Sequence, residues 1–192
     1  MKKTGLYFGS FNPIHMGHLA IANYIIEYGE LDQLWFVVSP QNPLKEKKSL
    51  LKDYHRFELV RLAVEDDERF RASDIEFHLP RPSYTIDTLA HLEEKHPGRE
   101  FLLVMGADGL KTFHKWKNAG LIEKKYHRLI YPRPGTDKKL AKQQANATFL
   151  DGPLMEISSS FIRRAIREGK DIRHFVPARA YQYIRQMHFY EK

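Results

Sequence analysis

Ten residues constrain this chain more than any other stretch. Gly9-Ser10-Phe11-Asn12-Pro13-Ile14-His15-Met16-Gly17-His18 lies between an apolar run with strand character, Leu6-Tyr7-Phe8, and an apolar run with helix character, Leu19 to Ile26. A strand, a turn of small residues and a helix N-terminus form a recurring phosphate cradle. The unpaired N–H groups of the first helical turn point outward, and the helix dipole favours negative charge there. Gly9 and Gly17 permit close backbone approach. Pro13 stiffens the turn and biases Asn12 toward extended backbone. With the helix starting near Gly17, His15 and His18 both face its N-terminal end. That end disfavours a protonated imidazole unless an anion shares the site. The plainer alternative is a turn with one surface and one capping histidine.

Strand-like and helix-like segments alternate along the rest of the chain. A helix stopping near Gly29 and a strand at Leu34 to Val38 complete a βαβ unit, which requires parallel strands and a right-handed crossover. Further helices are expected at Asp53 to Asp66, Thr85 to His96, Lys138 to Ala145, Ser160 to Glu168 and Ala178 to Tyr190. Strands are expected at Phe101 to Met105, His127 to Tyr131 and Thr148 to Leu150, with a broken piece between Arg69 and Leu79. In the Asp53 helix, Phe57, Val60, Leu62, Ala63 and Val64 make the apolar side. This alternation predicts an α/β fold: a Rossmann-like open parallel sheet with helices on both faces and a small C-terminal helical segment. Ligand then belongs off the carboxyl ends of the strands, where Gly9 and Gly106 sit. The 192 residues are expected to form a single domain, 1–192.

Composition narrows the class. The chain has no cysteine, which excludes disulfides, thiolate metal ligands and a thiol nucleophile. No apolar run reaches membrane-spanning length and no signal-peptide pattern opens the chain, so a cytoplasmic protein without membrane contact is expected. The formal net charge of +7 attracts polyanions, and nucleic acid stands as a rival to nucleotides. The basic residues are scattered, however, and the longest cluster is Lys45-Glu46-Lys47-Lys48.

A second anion cradle is written at Ile157-Ser158-Ser159-Ser160-Phe161-Ile162-Arg163-Arg164. Serines cap a helix start, and Arg163 falls on the first turn, where a cation is unfavourable without bound negative charge. An ordinary capped amphipathic helix is the alternative. Lys45 follows a proline-rich loop directly after the second strand and is a candidate phosphate ligand or a solvated lysine. His15 and His18 with Asp108 or His55 also make a conceivable metal site, but no fuller donor set stands nearby and no metal ligand is assigned.

His15-Met16-Gly17-His18 is the His-x-Gly-His signature of the nucleotidylyltransferase superfamily, and Gly9 through His18 resembles its bacterial nicotinate mononucleotide adenylyltransferase family. Ser158 through Arg163 matches the superfamily's second motif, Ser-Ser-Thr/Ser-x-x-Arg. The resemblance runs from about Gly5 to Ile184. It implies transfer of AMP from ATP, with Mg2+, to nicotinate mononucleotide, no nucleic-acid partner, and His18 and His15 as catalytic residues. It implies ATP contacts from Gly9, Ser10, Phe11, His15, His18, Gly106, Asp108, Ser158, Ser159 and Arg163. Acceptor contacts fall to Asn12, Lys45, Tyr84, Thr85, Trp116 and Arg133. Within that set, Tyr84-Thr85 N–H groups would hold the pyridine carboxylate, and Trp116 would stack on its ring. The family's usual Pro-His-Lys is Pro43-Leu44-Lys45 here, so the lysine is kept and the imidazole is not.

Overall fold

The computed structural model describes residues 1–40, 50–136, 142 and 144–191. Strands β1 (Lys2–Gly9), β2 (Gln33–Val38), β3 (Phe70–Ser73), β4 (Arg99–Gly106), β5 (Arg128–Tyr131) and β6 (Ala147–Phe149) form a six-stranded sheet in the order β3-β2-β1-β4-β5-β6. Every pairing is parallel. The helices are α1 (Met16–Tyr28), α2 (Asp53–Val64), α3 (Thr85–Lys95), α4 (Leu110–Phe113), α5 (Ala119–Lys125), α6 (Ser159–Arg167) and α7 (Ala178–Gln186).

Alternate side chains of each strand serve opposite faces, as a sheet covered on both sides requires. Tyr7, Leu34, Phe36, Val38, Leu102, Val104 and Leu129 join a core with Ile21 and Ile25 of α1, Leu59 of α2, Ile162 of α6 and Ile184 of α7. Leu6, Trp35, Val37, Leu103, Met105 and Ile130 join another with Leu89 and Leu92 of α3, Phe113 of α4 and Ile122 of α5. The strand order reverses between β1 and β4, which places a crevice off Gly9 and Gly106.

The structure departs from the sequence reading in identifiable places. The buried stripe of α2 is Arg56, Leu59, Val60 and Val64, rotated from the expected one because a buried arginine belongs to it. The Gly106 to Lys125 stretch contains a 3-10 turn at Ala107–Gly109 and the short helices α4 and α5, which were not expected. Left-handed backbone at Asn118 (φ 53°) separates α4 from α5, and pieces this short show little periodicity. The last helix stops at Gln186 rather than Tyr190. His188 (φ 54°) and Tyr190 (φ 67°) are left-handed, and Phe189 turns into the core. Most of the helix expected at Lys138 to Ala145 lies outside the described residues.

Arg56 ties the ends of these elements together. Its side chain is fully buried, and each of its N–H groups has an acceptor. Nε donates to Leu51 O (2.9 Å), Nη1 to Ser10 O (2.6 Å) and Ser39 O (2.7 Å), and Nη2 to Pro40 O (2.9 Å) and Asp53 Oδ1 (2.7 Å). Four of these acceptors are main-chain carbonyls just past β1, just past β2 and just before α2. Replacing Arg56 with Met strands those carbonyls and the Asp53 charge in the interior. We expect a loss of about 3–5 kcal/mol in urea unfolding. Arg56→Lys recovers less than half of it, since an ammonium has three donors and no planar fork. A loss under about 1 kcal/mol for Arg56→Met would remove this guanidinium from the stabilising framework.

Candidate active site

A cavity of about 600 Å³ opens at the β1/β4 crevice. It is lined on one side of the crevice by Gly9 through Asn12, His15 and His18, and on the other by Gly106, Asp108, Trp116 and Arg133. Ser158, Ser159, Ser160 and Arg163 close it from α6. Two helix N-termini, those of α1 and α6, therefore border one space, and both favour negative charge there.

The β1–α1 turn is built around Phe11, whose backbone is left-handed (φ 43°) and whose ring is buried. The ring meets His18 edge-on at 5.1 Å between centroids, with Tyr7 at 5.7 Å and Phe36 at 5.6 Å. A Cβ on Gly9 would fall 2.7 Å from this ring, so only glycine fits while Phe11 keeps its place. Phe11 thus acts as a wall behind His18.

His15 is the N-cap residue of α1 (φ −149°). Its N–H donates to His18 Nδ1 (3.2 Å), and the two rings stack with centroids 3.7 Å apart and planes 24° apart. A ring nitrogen that accepts carries no proton, so neutral His18 holds its proton on Nε2. His15 is 4% exposed, and its Nδ1 is buried without a hydrogen-bond partner among the described residues. Burial, assisted by the nearby Arg133 charge, lowers the His15 pKa to about 4.

Arg133 arrives from the loop after β5 and faces Asp108 from the loop after β4, Nε to Oδ1 3.8 Å. A Cβ on Gly106 would sit 2.3 Å from that Asp108 oxygen and 3.0 Å from Arg133 Nε, so the bare glycine lets the pair cross the end of β4. Arg133 also lies beside the buried Tyr7 hydroxyl, whose pKa burial pushes up against the pull of that charge.

The α6 motif is engaged with the β1–α1 turn. Ser158 caps α6, its hydroxyl accepting from Phe161 N (3.2 Å). The Ser159 hydroxyl donates to Pro13 O (2.9 Å), and Arg163 Nη1 donates to Asn12 O (2.8 Å). Residues about 150 apart in sequence thus share one backbone frame.

Of the residues singled out from sequence, Lys45 and Leu44 lie outside the described residues. Tyr84 and Thr85 sit at the N-terminus of α3 and are not among the residues lining this cavity. Tyr84 packs on the same side of the sheet as Trp116, with Lys117 Nζ 4.8 Å from its ring centre. The other candidates line the cavity. Sequence reasoning gave no site role to Arg56, Tyr7 or Tyr190. Arg56 had one signal, its place three and four residues before Leu59 and Val60 on a buried helical face.

Among the described residues no three His, Cys, Asp or Glu side chains gather as a metal-holding group. No helix among them is long and apolar enough to cross a membrane.

Comparison with known proteins agrees with this geometry. Residues 6–165 match the family model described as cytidylyltransferase-like, a class of nucleotide-transferring enzymes. A Flavobacterium johnsoniae protein named a probable nicotinate-nucleotide adenylyltransferase is 48% identical over 192 residues, covering 99% of this chain and 100% of that one. A Bacteroides thetaiotaomicron protein of the same name is 50% identical, over 96% of this chain and 91% of its own. The Plasmodium falciparum nicotinic acid mononucleotide adenylyltransferase complexed with NaAD shares the fold, with a TM-score of 0.83 at 21% identity over 100% of this chain and 98% of that chain. The chain belongs to the cytidylyltransferase-like family and, within it, to the nicotinate-nucleotide adenylyltransferases.

The depressed His15 pKa has a measurable consequence. The unfolded histidine takes up its proton near pH 6.5 and the folded one near pH 4, so protons favour the unfolded chain in between. The His15 contribution is therefore constant above about pH 6.5 and is lost as pH falls toward 4. Wild type should lose on the order of 3 kcal/mol more than His15→Gln over that interval in urea titrations. Parallel curves for the two proteins would contradict the assignment.

Proposed function

We propose that this enzyme transfers the adenylyl group of ATP to the phosphate of nicotinate mononucleotide, releasing pyrophosphate and nicotinate adenine dinucleotide. The observation that carries the reading is the meeting of two helix N-termini and a stacked, neutral imidazole pair over one cavity. The acceptor phosphate is already ionised at neutral pH and needs no general base. Its oxygen attacks the α-phosphorus and a new P–O bond forms. The bond to the β-phosphate oxygen breaks, and pyrophosphate leaves with the electron pair. What remains for the protein is alignment and stabilisation of charge.

In this reading His18 donates from Nε2 to an α-phosphate oxygen in the transition state, its proton held there by the His15 N–H on Nδ1. His15 borders the polyphosphate from the cavity wall at the start of α1 and packs its ring on His18. The α6 N-terminus with Ser158, Ser159 and Arg163 receives the departing pyrophosphate. Gly9 through Phe11, Gly106 and Asp108 border ATP. Asn12, Trp116 and Arg133 serve the acceptor, with Tyr84-Thr85 and Lys45 completing its pocket. The donor set of the described cavity, two imidazoles, hydroxyls and one carboxylate already facing Arg133, suits magnesium arriving as the ATP chelate. Bound that way, it neutralises polyphosphate charge.

Pyrophosphate release from ATP and magnesium, with nicotinate and nicotinamide mononucleotide in parallel, tests the reaction. Turnover favouring the nicotinate form is expected, and no turnover with either would overturn the proposal. His18→Ala should lose at least about 2–3 kcal/mol of transition-state stabilisation in kcat/KM while staying folded. An unchanged kcat/KM would take His18 out of the chemistry. Trp116→Ala should raise KM for the pyridine nucleotide and leave that for ATP nearly unmoved. Equal changes in both would make the indole a packing residue.

A further inference from the structure

The chain's last residues reach back to the phosphate turn. After α7 ends, Phe189 N donates to Ile184 O (3.1 Å), and the Phe189 ring wedges against His55 and Tyr183, centroids 4.6 and 5.5 Å away. That anchor, with left-handed backbone at His188 and Tyr190, aims Tyr190 under the β1–α1 turn. Its hydroxyl donates to Asn12 Oδ1 (2.8 Å) across 178 residues of sequence. The same oxygen accepts from Leu51 N (3.2 Å), just beyond the segment that carries Lys45. Leu51 N–H can only donate, so the orientation of the Asn12 amide is set: its oxygen faces Tyr190 and Leu51.

Asn12 in turn holds the machinery. Its carbonyl receives Arg163 Nη1, and Ser10, two residues earlier, receives Arg56 Nη1. Backbone strain in residues other than glycine persists where surrounding structure over-determines it, and such strain gathers at functional sites. Here two strained residues bracket Phe189 and aim one hydroxyl.

We infer that Tyr190 is a positioning residue for adenylyl transfer, acting through Asn12 to hold the phosphate turn and Arg163 in register. This rests on the reaction proposed above. Burial pushes the Tyr190 hydroxyl pKa up, against the opposing Arg163 and Arg56 charges, so the group remains a protonated donor at neutral pH. Removing that one hydroxyl lets the turn relax by fractions of an ångström, which alignment-limited chemistry registers in kcat.

The test compares full-length wild type, Tyr190→Phe, Asn12→Ala and the double variant in pyrophosphate release, with thermal midpoints measured alongside. Tyr190→Phe should lower kcat by roughly 5- to 20-fold with both KM values within about twofold. The double variant should be no slower than Asn12→Ala alone, because both substitutions cut one connection. A Tyr190→Phe kcat within about twofold of wild type, or losses that multiply in the double variant, would overturn the inference and leave the reaction standing. An inactive wild type would sink both. Should Tyr190→Phe fail to fold, hydrogen exchange on wild type decides. A non-hydrolysable ATP analogue should slow exchange in residues 187–191 together with 9–18, and an unresponsive tail would count against the link.

Discussion

The structure depends on one buried guanidinium. Arg56 holds the main chain where β1 and β2 end and where α2 begins, and the first of these, Gly9 through Asn12, lines the cavity. A parallel sheet delivers its strand ends to one edge but does not fix the loops that leave them. Loops carry carbonyls that water would otherwise satisfy, and burying them without partners is costly. A planar group with five N–H donors removes that cost at several points together, and Asp53 balances its charge. The Ser10 carbonyl is thereby held, and with it the path of the chain into Phe11.

From that point the site follows by packing. Phe11 stands behind His18, the His15 N–H fixes the His18 tautomer, and burial keeps His15 neutral. Adenylyl transfer to a phosphate needs no base, and the proposed reaction accordingly asks only for a hydrogen-bond donor such as His18 Nε2 beside two helix N-termini. The frame is closed by contacts distant in sequence. Ser159 and Arg163 hold the carbonyls of Pro13 and Asn12, and Tyr190 holds the Asn12 side chain. Rigidity at the turn is thus shared among α2, α6 and the C-terminal residues.

How much could be read in advance depended on the range of the interaction. The strands were legible because apolar runs flanked on both sides by helices have few other homes. The two helix-start motifs were legible because glycine, serine, proline and histidine at a helix start are local chemistry. Short α4 and α5 escaped because four to seven residues carry little period, and the last helix was read too long because Phe189 and Tyr190 continue its apolar pattern. Tyr84 and Thr85 are placed in the site by resemblance alone; they stand at the start of α3, on the same side of the sheet as the cavity residue Trp116.

The sequence by itself determined the α/β alternation, the parallel sheet and the composition of both anion cradles, since period, turn chemistry and capping act within a few residues. Tertiary structure alone decided that the two cradles share one cavity. It also made Arg56 an interior residue, lowered the His15 pKa and brought Tyr190 to Asn12. These depend on burial and on hydrogen bonds between residues far apart in the chain, quantities that exist only once the sheet has gathered its strand ends.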